Sequence, residues 1–369
     1  MLFRNFLSNL DWLLLILVIM ISTIGLITVY SASHSLGLGN FYFYRQLTWF
    51  GLGLLVMIGT AMIDYRLLCR FALPLHLSAI ILLIITLFFG VGGQFSNAPR
   101  WLKIGSFNLQ TSELVKFTII LIIAQYFKES RKFGKFNLKV IVWLGSLIGI
   151  PFLLIVRQPD LGTALLFLFT SFMLIYFSGL RYRLILGVTL LALLLTPVIW
   201  QYGIAEYQKD RILTMFNPNA DQLGKGYHIN QSIIAIGSGG KFGKGYLQGT
   251  QAQLNFLPAR HTDFIFSLFA EEWGFAGSIS LIILYSALLL HIINSIGKLK
   301  YLRENIIIAG VSAILCGQTL INLGMVMRLL PVVGIPLPLF SYGGSSMITT
   351  MFGIGLLMSV YQRRFEGND

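Results

Sequence analysis

Charge is what this sequence has least of. Only 11% of its 369 residues are Asp, Glu, Lys or Arg, against roughly a quarter in soluble domains, while 56% are hydrophobic. That balance excludes an ordinary soluble globule. Acids are scarcer still, 14 against 27 Lys and Arg, so the formal charge is +13. On a soluble protein that surplus would point to nucleic acid. In a chain this apolar the cations first have to be assigned to sides of a membrane, and no nucleic-acid partner is expected. The two cysteines, Cys69 and Cys316, lie far apart in or beside apolar stretches, outside any metal-ligand spacing, and read as small core hydrophobes. The five histidines are scattered and form no metal-ligand pattern either. There is no Gly-x4-Gly-Lys-Ser/Thr loop, no Gly-x-Gly-x-x-Gly fingerprint and no Gly-x-Ser-x-Gly elbow, so neither nucleotide binding nor a serine-hydrolase site is signalled. No repeat is visible, direct or inverted, which weakens the case for an alternating-access carrier.

What is present is a series of long apolar runs, near 12–30, 47–63, 74–91, 113–127, 138–156, 161–179, 184–203, 264–293, 306–327 and 346–361. Runs of roughly 18 residues or more are membrane spans, so the expected fold is all-α, a polytopic membrane protein with about ten transmembrane helices forming one domain, 1–369. The first run is too long for a signal peptide and reads as an uncleaved span. Arg4, Arg66, Arg70, Lys128, Arg131, Lys132, Lys135, Lys139, Arg181, Arg183, Lys298, Lys300, Arg303, Arg363 and Arg364 fall in short connections on the side of the N-terminus. The positive-inside rule therefore orients the chain N-in and C-in. The long connection 204–263 then faces outward, together with two shorter ones, Gly92–Gln110 and Leu329–Ser345, all expected to be irregular. Pro331, Pro336 and Pro338 forbid regular helix in the last. Within the long connection Ile229–Ile236 is apolar but too short to span.

Asp263 stands where the long loop enters an apolar helix, in Arg260-His261-Thr262-Asp263-Phe264. It is either a helix N-cap or a carboxylate with a tunable pKa facing both water and lipid. Glu271 and Glu272 follow in the same helix, ~12 Å further along its axis. A charge at that depth costs a few kcal/mol and so carries either a function or a structural ion pair. Glu113 and Lys116 are spaced as an ion pair on one helix face, and Asp160 closes a turn between two spans. The glycines Gly237, Gly239, Gly240, Gly243, Gly245 and Gly249, with Lys241 and Lys244, suggest either an anion-binding backbone or a flexible loop. Trp101, beside Arg100, could stack on a sugar or anchor at the interface.

Five segments resemble the signatures of the SEDS (shape, elongation, division and sporulation) proteins, the RodA/FtsW family. They are Gln158–Thr163, Ala235–Gly240, Gln253–Pro258, His261–Phe266 and Gly334–Ser346. The short termini resemble the elongation member. The resemblance implies a glycosyltransferase, without a certain cofactor, that polymerises lipid II, an undecaprenyl-pyrophosphate-linked disaccharide peptide. It would work in the bacterial cytoplasmic membrane with a class B penicillin-binding transpeptidase and other elongation proteins. It also implies that Asp263 is the essential outer-face aspartate, that Glu113 and Lys116 are a buried pair beside a cavity, and that Trp101 and the Gly334–Ser346 loop are sensitive positions. Two residues depart from the family pattern: Ala259, where Glu is frequent, and Arg328, where a small residue is usual. The expected substrate-binding set is Arg260, His261, Lys241, Lys244, Trp101, Arg328 and Ser341. Glu113, Lys116, Glu271 and Asp160 would shape the cavity, and a divalent cation (Mg or Mn) could bridge Asp263 and the phosphates. The rival reading is a lipid II flippase.

Overall fold

In the computed structural model, residues 10–34, 37–93, 96–105, 107–127, 138–179, 206–216, 225–254, 256–257 and 259–363 are described, with isolated positions from 187 to 201. The seventh expected span, 184–203, and Asn255 and Pro258 of the third motif fall outside them, apart from those isolated positions. The long helices are α1 (Trp12–His34), α2 (Gly39–Met62), α4 (Ala72–Phe89), α5 (Thr111–Tyr126), α6 (Leu138–Arg157) and α7 (Leu161–Phe177). Further on come α11 (Ile265–Ile293), α12 (Leu302–Val326) and α13 (Gly344–Gln362). Short α3 (Tyr65–Arg70) joins α2 to α4. The segment between α7 and α11 carries α8 (Glu206–Phe216), α9 (Lys225–Ser238) and α10 (Thr250–Gln253). The apolar Ile229–Ile236 thus lies within α9.

Among the described helices, α1, α4, α11, α12 and α13 are each long and apolar enough to cross a bilayer, and α6 and α7 contain shorter apolar segments. The protein is an integral membrane protein, predominantly helical as the sequence requires. α12 and α13 are its centre: α12 touches α5, α7, α11 and α13, and α13 runs along α2. The core these helices enclose is continuous, from Leu14 and Ile21 through Ile119–Ile123 to Ile306–Ile308 and Met351–Leu357. By contrast α4 and α11 leave Ile81, Phe88, Phe275 and Ile283 exposed, as expected of helices in contact with lipid.

Successive helices alternate direction, which sorts their connections to two ends. At one end Asp64 caps α3 by accepting from the backbone N–H of Arg66 at 2.8 Å. Beside it Tyr65 donates to Glu304 at 2.7 Å, and Asp11 meets His291 at 2.6 Å. The other end holds the connection Gly92–Gln110, the described part of the segment between α7 and α11, and the proline-rich loop. There the connection Gly92–Gln110, expected to be irregular, is instead mostly a small antiparallel sheet, β1 (Val91–Gly93), β2 (Ser96–Ile104) and β3 (Phe107–Gln110), in the order β1-β2-β3. The proline-rich loop before α13 has no helix, and Tyr285 of α11 pins it by donating to the carbonyl of Pro338 at 2.6 Å.

Candidate active site

Asp263 sits in a turn, outside the helix that follows. Ala259, in the left-handed region at φ +49°, presents its carbonyl to the backbone N–H groups of Thr262 and Asp263, each at 3.1 Å. Helix α11 starts at Ile265 with Phe264 as its N-cap and no side chain capping it. The capping alternative for Asp263 therefore falls, and the carboxylate is left available for chemistry. It is half-buried. Burial pushes its pKa up to about 6, against the pull of Arg211 and then Arg100, with Asp160 adding to the rise. A carboxylate poised there is matched to accepting a proton near neutral pH.

The turn is held by residues far away in sequence. The side-chain amide of Asn322, in α12, donates to the carbonyls of both Asp263 (3.0 Å) and Ile335 (2.8 Å). Ser341 donates to the carbonyl of Thr262 at 2.7 Å and accepts from the backbone of Leu337 at 2.9 Å. The backbone N–H of Tyr342 donates to the carbonyl of His261 at 2.9 Å. Gln46 of α2 completes the lacing, donating to the carbonyl of Ser341 and accepting from the N–H of Gly343, both at 3.1 Å. Gly334, at φ +75°, lies directly over the carboxyl: a Cβ there would be 3.3 Å from Oδ2 of Asp263.

Arg100 projects from β2 and donates through Nε to the carbonyl of Gln158 (3.3 Å) and through Nη2 to that of Pro159. The next residue, Asp160, caps α7 as its turn position suggested. It accepts from the N–H (3.3 Å) and hydroxyl (2.8 Å) of Thr163, and from Gln110 at 3.2 Å. Arg211, the other cation acting on Asp263, comes from α8. In sequence nothing separates it from its neighbour Lys209.

Several expected ligands take other roles. His261 is buried between the rings of Tyr42 (4.9 Å) and Tyr342 (5.7 Å), and burial, then Arg260, pushes its pKa down to about 4, so it is neutral. Arg260 is 4% exposed and Ser341 5%; both belong to the frame of the turn rather than to an open surface. Arg328 adopts φ +61°, where a glycine is cheapest, and its Nε donates to the carbonyl of Met215, tying α12 to the end of α8. Trp101 is half-buried in β2, opposite Val91 and Gln110.

The glycine-rich segment is a structural splice rather than an anion nest. Inside α11 Gly274 leaves helical geometry (φ 65°, ψ −161°). The carbonyls of Glu271 and Glu272, freed by the break, accept from the backbone of Lys244 and Gly245, both at 3.0 Å. In return the N–H groups of Phe275 and Ala276 donate to the carbonyls of Gly240 (2.9 Å) and Lys241 (3.0 Å). Below this exchange the buried Glu271 takes Lys244 at 2.6 Å, Thr250 at 3.0 Å and the backbone of Gln251 at 3.1 Å. Lys244 is thus spent on Glu271, and Lys241, though exposed, stands level with the break, ~16 Å along the axis from Asp263. Gly243, at φ +82°, would place a Cβ 2.0 Å from the carbonyl oxygen of Glu272. Gly243→Ala is therefore expected to cost at least ~3 kcal/mol by combining a forbidden contact with a strained backbone. Thermal unfolding in detergent checks this, and an unchanged midpoint refutes the splice.

Glu113 and Lys116 form the expected pair at 2.7 Å, 4% and 0% exposed, and Thr349 of α13 donates to the second carboxyl oxygen of Glu113 at 3.1 Å. The pair lies within α5, and the bond from Thr349 ties it to α13.

The membrane bundle, the laced aspartate turn and the buried Glu113–Lys116 pair define a class. The family of cell cycle proteins named for FtsW, RodA and SpoVE matches residues 11–365, and the chain belongs to it. Among its relatives is the peptidoglycan glycosyltransferase MrdB of Escherichia coli (strain K12), 37% identical over 357 residues, which span 96% of this chain and 94% of that protein. The structure is similar to the rod shape determining protein RodA of Thermus thermophilus, with TM-score 0.72 and 31% identity over 97% of this chain and 98% of that one. It is also similar to a chain of a peptidoglycan synthase complex, described for its coordination of polymerization and crosslinking, with TM-score 0.83 and 32% identity over 97% and 99%.

Proposed function

We propose that this protein is a peptidoglycan glycosyltransferase that polymerises lipid II at the outer face of the cytoplasmic membrane during cell elongation, with Asp263 as general base. The observation that carries the reading is the half-buried carboxyl of Asp263, raised to about 6 and acted on by two arginines, at the end of the bundle where the irregular loops gather. The acceptor is a sugar hydroxyl that has to lose a proton as it attacks. A positioned carboxylate supplies about 10²–10⁴-fold for such a step. The acceptor oxygen bonds to the donor's anomeric carbon while the bond to pyrophosphate breaks. The lipid pyrophosphate leaves with the electron pair, and the proton goes to Asp263. One base with no nucleophilic carboxylate fits a single displacement with inversion. Arg100 and Arg211 supply positive charge for the leaving group.

A divalent cation between Asp263 and the phosphates finds little in the protein to hold it. Among the described residues no three of His, Cys, Asp and Glu converge, and cations act on Asp263 from α8 and β2. No step is assigned to a metal here. The similarity to a complex that couples polymerization to crosslinking supports a crosslinking partner, of the class B penicillin-binding type. The test is the purified protein in detergent with labelled lipid II. A ladder of glycan polymers is expected. Translocation across liposomes without any polymer would assign the chain to the flippases instead.

A further inference from the structure

We infer that Asn322 is a positioning residue for the glycosyl-transfer step, its amide setting the place of Asp263 against the proline-rich loop. The inference rests on the reading of Asp263 as the base. Asn322 is fully buried near the end of α12. Its orientation is fixed by chemistry: both groups it meets, the carbonyls of Asp263 and Ile335, are acceptors, so the NH₂ end has to face them. Each amide hydrogen serves one carbonyl. The carbonyl of Asp263 does not enter the ladder of α11, whose first bonds run from Ser267 and Leu268 to the carbonyl of Phe264. One small amide thus joins α12, the catalytic turn and the loop that carries Gly334 over the carboxyl.

Among the described residues no other hydrogen bond ties the peptide of Asp263 directly to that loop. Ser341 and Tyr342 act one and two residues earlier, on Thr262 and His261. The side-chain oxygen of Asn322 is buried with no hydrogen-bond partner among the described residues, so this amide is not part of a self-satisfied polar cluster. A buried acceptor left open is costly for a purely structural residue, since a leucine of the same size would carry none. What an amide supplies here and a leucine cannot is the pair of donors.

The charged groups acting on Asp263 are Arg211 from α8, Arg100 from β2 and Asp160 at the start of α7. His228 of α9 is stacked on neighbouring Phe264 at 6.1 Å, and the loop 331–341 carries no titratable side chain. When Asn322 is removed, the peptide of Asp263 loses its own tie to the loop while Ser341 and Tyr342 still hold Thr262 and His261, and the carboxyl moves toward water while those charges stay in place.

The experiment is steady-state polymerisation by the full-length protein carrying Asn322→Leu or Asn322→Asp. A buried Asp at 322, protonated, keeps one donor of the two. A base displaced by ~1 Å costs about 10²-fold. The expected result is a fall in kcat of about that size for the Leu variant and a smaller fall for the Asp variant, with KM within about threefold. The acid limb of the rate profile moves down from about 6 toward the range of an exposed carboxylate. A merely structural role would lower the yield of folded protein and leave kcat and the acid limb of the folded fraction unchanged, and that outcome overturns the inference. So does failure of both variants to fold. Full activity of Asp263→Asn would bring down the general base itself; loss there with normal kinetics in the Asn322 variants would bring down only the positioning role.

Discussion

Asp263→Asn is expected to lower the rate of lipid II polymerisation by about 10²–10⁴-fold with KM little changed, because the amide keeps the size of the carboxyl and cannot take a proton. Folding should not suffer, since no cap or backbone bond is made by this side chain at the start of α11. The pH dependence carries the sign of the shift. Burial raises the carboxyl to about 6, so it is protonated and inactive below that value and becomes an effective base as pH rises through it. Wild-type kcat should therefore climb through about pH 6 and level off above it, whereas the residual rate of the Asn variant should lack that limb. Initial rates with labelled lipid II across this range, beside melting curves of both proteins, decide the matter. A fully active Asn variant removes Asp263 as the base.

Lys116→Ala should be the most destabilising single change in the bundle. It strips the cation from a carboxylate that is 4% exposed, and an uncompensated buried charge costs about 3–5 kcal/mol. The bond from Thr349 to Glu113 survives but cannot neutralise the charge. Replacing both partners, Glu113→Leu with Lys116→Met, should recover most of the loss, because an apolar pair of similar volume escapes the desolvation penalty. Unfolding midpoints of the two single variants and the double variant test this as a cycle. A Lys116→Ala protein that melts with wild type would mean that the buried carboxyl of Glu113 does not need the lysine.

Most spans were legible because hydrophobicity adds up along a run: the expected 12–30, 161–179 and 346–361 match α1, α7 and α13 closely. Helix α2 begins at Gly39, ahead of the run at 47, because its first turns, Asn40-Phe41-Tyr42-Phe43-Tyr44-Arg45, are aromatic and polar rather than apolar. The sheet at 91–110 gave no signal, being built from short strands without a long alternation. At the site, local spacing revealed Glu113–Lys116 and the cap at Asp160, and an abrupt change of environment revealed Asp263. Asn322 and Gln46 stayed hidden because their partners are remote: Gln46 and Ser341 are 295 positions apart. The glycine cluster misled for a related reason. A row of glycines looks alike whether it wraps a phosphate or lets two backbones touch, and only the break at Gly274 tells which.

That break also divides α11 into two rods. From Phe275 to Ile293 the helix runs ~28 Å, by itself a match for the hydrocarbon thickness of a bilayer. Trp273, 45% exposed and adjacent to the break, is the kind of residue that marks the water–lipid boundary. The turns from Ile265 to Trp273 form a separate, shorter rod, with Asp263 ~16 Å along its axis from Gly274. The direction in which that shorter rod points, and with it the place of the base, would be set by where one glycine interrupts the helix.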